Sequence, residues 1–319
     1  MENNVTIFSG NSNVALAQAI CEELNIPLGD ALVGSFPEGE VRVQINENIR
    51  GKDVYIIQST CAPRPNDYLM ELLIMIDAAR RASARRITAV LPHYGYARQD
   101  RKDRPRVPIT AKLIANLLVN AGANRILTMD LHAGQIQGFF DIPVDHLYSI
   151  NVLSRFFLDR KIKDLCVVSP DVGGIKMARA YSKLLEAPLA IVDKRRESDK
   201  QTKVMNIIGD VKDFNVVIVD DLVSTGGSLV EAANALKVAG AKDIYACVVH
   251  PVLVGPAIER LKNSCIKKLV VTDTIPLTKE KQIDQIEILT VSSILADAIR
   301  RIHEDESVSA LFADADVEA

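Results

Sequence analysis

The strongest constraint on the fold is one stretch, Asn215 to Leu229, reading Asn-Val-Val-Ile-Val-Asp-Asp-Leu-Val-Ser-Thr-Gly-Gly-Ser-Leu. Val216, Val217, Ile218 and Val219 form a short β-branched apolar run, the pattern of a strand buried on both faces of a parallel sheet. Asp220 and Asp221 follow at once. Unpaired carboxylates are costly to bury, so the strand is expected to end there, at the carboxyl edge where open α/β sheets hold their ligands. Ser224, Thr225, Gly226, Gly227 and Ser228 then make a loop of hydroxyls and bare backbone. From Leu229 the apolar positions Leu229, Ala232, Ala233, Leu236 and Val238 recur at helical spacing, so the loop opens into a helix N-terminus.

The order of these pieces points to chemistry. Glycines let backbone N–H groups crowd an anion, hydroxyls add donors, and the first helical turn offers unpaired N–H groups carrying partial positive charge. The two aspartates are poor phosphate ligands but accept hydrogen bonds from sugar hydroxyls. The loop therefore reads as a monophosphate cradle beside a ribose. Either half alone reads better as an Asp-Asp turn or a Ser/Thr-capped helix without a ligand; the contiguous set favours the ligand.

The same alternation runs through the chain. Val5 to Phe8 and Asn13 to Leu24 read as a strand and a helix, and Val54 to Ile57 as a buried strand leading to a helix from about Asp67 to Ala82. Phe36-Pro37-Glu38-Gly39-Glu40 interrupts two strand-like segments. Ala82-Ser83-Ala84-Arg85-Arg86-Ile87 parallels Ala239-Gly240-Ala241-Lys242-Asp243-Ile244, each closing a helix and opening a strand, a weak internal repeat. Strands alternating with helices predict parallel sheets. The reading is an α/β chain of two related domains, each a mainly parallel sheet flanked by helices, divided as 1–149 and 150–319.

A length of 319 residues accommodates two such cores. A formal net charge of -3 gives no basic field for nucleic acid. Five scattered cysteines without a Cys-x-x-Cys point to a reducing compartment, and no apolar run approaches membrane-spanning length, so a cytoplasmic protein without membrane partners is expected.

Further candidates stand just after buried strands. Between Arg98 and Arg106 five bases face two acids, although Pro105 and Pro108 disfavour regular structure. Arg98 and Gln99 lie past the strand 87–91, on the substrate edge. Asp130-Leu131-His132 follows the strand 126–129, so a carboxylate and an imidazole at alternate positions can face one site. Ser169-Pro170-Asp171 follows another strand. Asp193 to Lys200 is a basic run expected to leave the strand 189–192 as a loop. His93, His146, His250 and His303 receive no role.

These motifs carry a resemblance. The segment Val219 to Ser228 is similar to the phosphoribosyl-diphosphate-binding signature shared by type I phosphoribosyltransferases and ribose-phosphate pyrophosphokinases. A transferase of the first kind needs one such domain, whereas this chain is duplicated, carries extra basic loops, and lacks a Gly-x-x-x-x-Gly-Lys-Ser/Thr P-loop. Together with Phe36 to Glu40, Tyr96 to Arg101, Asp130-Leu131-His132, Ser169-Pro170-Asp171 and Asp193 to Arg196, all in the family's order, it resembles the ribose-phosphate pyrophosphokinases over essentially its whole length.

The resemblance implies that ATP and D-ribose 5-phosphate give AMP and 5-phospho-α-D-ribose 1-diphosphate, with Mg²⁺ and a homo-oligomer, a hexamer. It implies ATP binding by Phe36, Glu38, Gly39, Glu40, Arg98 and Gln99, metal contacts from His132 and Asp171, and a catalytic pair Lys194 and Arg196. Ribose 5-phosphate falls to Arg196, Asp220, Asp221, Ser224, Thr225, Gly226, Gly227 and Ser228. Two departures stand out. Ser224 replaces a usual aspartate and Asn48 a usual serine, the latter in the region the resemblance links to phosphate and ADP control. The alternatives are a phosphoribosyltransferase consuming the diphosphate product, and a non-catalytic regulatory relative.

Overall fold

The structure, a computed structural model, describes residues 4–196 and 203–311, and their side chains except those of 194–196, 203–205 and 310. The chain divides into two compact units, the first built mainly from residues 4–148.

In chain order the first unit runs β1 (Val5–Ser9), α1 (Val14–Leu24), β2 (Ala31–Ser35), β3 (Val41–Ile45), β4 (Asp53–Ile57), α2 (Pro65–Arg81), β5 (Arg86–Leu91), α3 (Thr110–Ala121), β6 (Arg125–Met129) and β7 (Val144–Leu147). Its five-stranded sheet has the order β1-β4-β5-β6-β7, every pair parallel. All five residues of β4 are buried, as a strand covered on both faces requires. α2 starts earlier than its apolar pattern suggests, because Pro65 at the first turn has its φ already set and needs no backbone donor there. β2 and β3 form an antiparallel hairpin outside this sheet, with Val33, Val43 and Ile45 packed against the core.

The second unit runs α4 (Ile150–Asp159), β8 (Leu165–Ser169), α5 (Ile175–Leu184), β9 (Leu189–Arg196), β10 (Lys203–Ile208), β11 (Asn215–Val223), α6 (Gly227–Val238), β12 (Ile244–Pro251), α7 (Ala257–Lys262), β13 (Ile266–Thr272) and β14 (Ile286–Leu289). The sheet order is β10-β9-β8-β11-β12-β13-β14, parallel except for the β9–β10 pair. The fold is thus the expected one: two mainly parallel sheets flanked by helices.

Three details differ from the sequence reading. β11 does not stop at the acid pair. It runs on to Val223 because β12 is buried along its whole length and pairs with it as far as Val223↔Pro251, while registered pairing with β8 stops at Ile218. Asp220 and Asp221 therefore have a strand neighbour on one side only, which leaves them half-buried. Likewise Asp193 to Arg196 are not loop. β10 pairs antiparallel with them, ending at Lys203↔Arg196, and supplies the backbone partners that a charged run does not advertise. Glu197 to Lys200, the rest of that basic run, lie outside the described residues.

Third, the two units are not consecutive segments. Residues 274–276 and 290–311 belong with 4–148, whereas the sequence pattern predicts 150–319 as one continuous domain. The cause is α8 (Ser292–His303), whose Leu295, Ala298, Ile299 and Ile302 are buried and which packs on α1. The Tyr55 hydroxyl of β4 donates to the Ile299 carbonyl at 3.3 Å. No described helix is long and apolar enough to cross a membrane.

Candidate active site

The turn from β11 into α6 has a defined polarity. Its carbonyls are each taken by a donor behind it: Leu253 N–H to Val223 O (3.0 Å), Val254 N–H to Ser224 O (3.0 Å), the Arg260 Nη1 to Thr225 O (2.9 Å) and Val230 N–H to Gly226 O (3.0 Å). Gly226 sits at φ +72°, where a side chain would be strained, and no side chain caps the start of α6. The amide side, with the Thr225 and Ser228 side chains exposed beside it, is what remains for an anion.

Asp220 and Asp221 stand just before this turn, with Asp221 N–H bonded to Asp220 Oδ1 at 3.0 Å. Burial first, then the charges of Asp221 and Asp171, push the Asp220 carboxyl well above the usual carboxylate range. Asp171 is exposed at the start of α5, its Oδ1 accepting from Gly173 N (2.9 Å) and Gly174 N (3.1 Å), which fixes the carboxylate's orientation. Three acids thus gather at the carboxyl edge of the second unit's sheet. Lys194 and Arg196 contribute backbone to β9, and their side chains lie outside the described residues.

In the first unit the Phe36 to Glu40 segment is the exposed turn of the β2–β3 hairpin, closed by Phe36 N–H to Glu40 O (2.8 Å) and Gly39 N–H to Phe36 O (2.9 Å), with Gly39 at φ +96°. The Arg42 guanidinium lies 5.6 Å from the Phe36 ring centroid. The hairpin is tied back by Asn11, whose Nδ2 donates to Val33 O (3.1 Å) and to Glu71 Oε1 (3.0 Å). Arg98 and Gln99 are exposed, yet the segment carrying them is pinned. The Tyr94 hydroxyl donates to Ala111 O (2.8 Å), Ala111 N–H to Gln99 O (3.2 Å) and Gly95 N–H to Thr60 Oγ1 (2.7 Å). A Cβ on Gly95 would meet Thr60 O at 2.2 Å, so only glycine fits there.

Asp130 and His132 do not share a strand face. β6 ends at Met129, Asp130 is buried at φ +39°, and His132 is exposed, so the alternation of a strand no longer applies. Sequence reasoning also missed two residues here. His146 accepts the Leu131 N–H through Nε2 at 2.8 Å and so holds the bend that presents His132. Arg260 braces the Thr225 carbonyl from 35 positions downstream. Neither carries a local motif; each is found only through its partner in space. Among the described residues no group of three or more His, Cys, Asp or Glu is arranged to hold a metal ion.

Two mainly parallel α/β units, one with an acid pair and a glycine turn into a helix near a strand's carboxyl end, place the chain in the phosphoribosyltransferase-like class of folds. Residues 5–122 match the model of the N-terminal domain of ribose phosphate pyrophosphokinase, and residues 188–313 that of the phosphoribosyl synthetase-associated domain. A ribose-phosphate pyrophosphokinase of Caldanaerobacter subterraneus is 57% identical over 97% of this chain and 98% of its own length. One from Clostridium perfringens is 54% identical over 98% and 100%. The crystal structure of phosphoribosylpyrophosphate synthetase from Mycobacterium smegmatis superposes with a TM-score of 0.90 at 40% identity, covering 95% of this chain and 100% of that one. The chain belongs to the ribose-phosphate pyrophosphokinase family.

Proposed function

We propose that this enzyme, a transferase and kinase of nucleotide biosynthesis, moves the β,γ-diphosphoryl group of ATP to the 1-hydroxyl of D-ribose 5-phosphate, giving AMP and 5-phospho-α-D-ribose 1-diphosphate. The observation that supports the reading is the turn 224–228, its Ser224, Thr225 and Gly226 carbonyls each taken by a donor, directly after two carboxylates, in a chain similar to this family from end to end.

The 5-phosphate takes the amides and hydroxyls of Ser224, Thr225, Gly226, Gly227 and Ser228, and the ribose hydroxyls donate to Asp220 and Asp221. ATP takes Glu38, Gly39, Glu40, Arg98 and Gln99, with Phe36 of a neighbouring subunit packed against its base. The anomeric hydroxyl attacks the β-phosphorus in line and AMP departs, so positioning and charge stabilisation do most of the work. Lys194 and Arg196 donate to the transferring group, Arg196 also to the sugar phosphate. We assign Mg²⁺, a hard divalent cation that would be held mainly by phosphate oxygens and water, with Asp171 and His132 as its protein contacts. When bound, it neutralises phosphate charge. Ser224 in place of an aspartate removes a charge beside the sugar and shifts affinity, not reaction class. We assign the enzyme to the cytoplasm as a homo-oligomer, a hexamer.

The test is to incubate pure protein with ATP, Mg²⁺ and ribose 5-phosphate. AMP formed in step with the sugar diphosphate is expected. Absence of AMP, with pyrophosphate released only when a base acceptor and the sugar diphosphate are supplied, would replace the reading by a phosphoribosyltransferase.

A further inference from the structure

The turn that follows β11 keeps its shape through four carbonyl bonds, and three of their donors are backbone amides. The fourth is the side chain of Arg260 on α7, whose Nη1 reaches Thr225 O at 2.9 Å. The same nitrogen stands 3.1 Å from where a Cβ on Gly227 would be, so the guanidinium rests against the first residue of α6. A cation beside a helix N-terminus is electrostatically misplaced, because that end already carries partial positive charge. The placement becomes favourable once an anion sits on the same turn, where guanidinium and amides act together.

We propose that Arg260 is a positioning residue for the sugar phosphate: it holds the Thr225 carbonyl back so that the amides of the turn face outward, and its charge adds to the pull on the 5-phosphate. The inference rests on the assignment of this turn to ribose 5-phosphate. Glycine at 227 fits this placement, since a Cβ there would stand 3.1 Å from Arg260 Nη1 and oblige the guanidinium to shift. A merely structural brace would lower stability, whereas this role separates the two substrates.

Steady-state kinetics on the full-length Arg260→Ala and Arg260→Lys enzymes, with calorimetric titration of ribose 5-phosphate and of unphosphorylated ribose, test it. Arg260→Ala is expected to raise the KM and Kd for ribose 5-phosphate about tenfold or more, leave the KM for ATP within about twofold, and leave the weak binding of ribose unchanged. Arg260→Lys recovers part of the loss by keeping the charge. Should Arg260→Ala not fold, Arg260→Gln, which removes the charge and keeps most of the side chain, is expected to give the same selective rise. A ribose 5-phosphate KM within twofold of the parent's, or a parallel rise for both substrates, overturns the role of Arg260. A parent enzyme forming no AMP overturns the assignment of the site instead, so the two failures are distinct.

Discussion

Two aspartates, each at one end of a sheet strand in its own unit, have opposite surroundings. Asp53, at the start of β4, is buried, and burial alone would raise its pKa. Arg86 (Nη2 to Oδ2, 2.6 Å), Arg85 (Nη2 to Oδ2, 2.9 Å) and His303 (Nδ1 2.8 Å from Oδ2) outweigh this and hold the carboxyl well below the usual range. Asp220, near the end of β11, faces Asp221 and Asp171 and is driven the other way. The first charge is satisfied within the fold, stapling α8 and β5 to β4. Among the described residues the charges that act on the second raise it further, the condition expected of a group whose partner is a ligand. Stability and function are thus held by the same residue type in opposite electrostatic settings.

If that division is correct, substitutions on the two sides should move different observables. The largest effect is expected at Lys194, on the functional side: Lys194→Ala should lower kcat by about 10²–10³, the loss of one donor to a transferring group, with the melting temperature unchanged. An unchanged kcat in stopped assays would remove Lys194 from the mechanism. On the other side, Asp53→Ala should cost roughly 3 kcal/mol of stability, the low end for breaking a buried ion pair because Arg85 is half exposed, while both KM values stay near the parent's below the melting transition. Urea unfolding reads this directly, and a loss under 1 kcal/mol would break the comparison.

A third substitution has a sign that only the comparison supplies. Because Asp220 is raised in the folded state, the fold binds its proton more tightly than the unfolded chain does. The stability it lends is present at low pH and is lost as pH rises through the folded value. Asp220→Asn should therefore raise the melting temperature of the ligand-free enzyme at pH 8 by a few degrees, while weakening ribose 5-phosphate about tenfold. The smallest effect concerns Asp53 and acid. Its depressed carboxyl contributes stability above the unfolded value of about 4, and that contribution is lost as pH falls below it. Asp53→Ala should flatten the parent's loss of stability below pH 4.

The sequence shows the ligand side better than the structural one. The apolar run 216–219, the acid pair and the hydroxyl-glycine turn are contiguous, so local pattern alone places them toward the carboxyl end of a strand, though not its last residue. Contiguity fails where a partner is remote. β9 continues through Lys194 and Arg196 because β10 pairs with it, and β11 continues past the acids because β12 does. Asp53, Arg85, Arg86 and His303 are spread over 250 positions and form one network only after α8 folds back onto the first unit. His303 and His146 carry no sequence signal for the same reason: a lone histidine has no periodicity to betray its partner. Val238, counted in the apolar stripe of α6, is 90% exposed, since that stripe ends at Leu236.

The most direct measurement is a crystal structure of the enzyme with ribose 5-phosphate. The 5-phosphate is expected within hydrogen-bond distance of the backbone amides of Ser224 through Ser228, with the ribose hydroxyls on Asp220 and Asp221. A phosphate bound elsewhere, with those amides turned inward and the two aspartates untouched, would contradict the account.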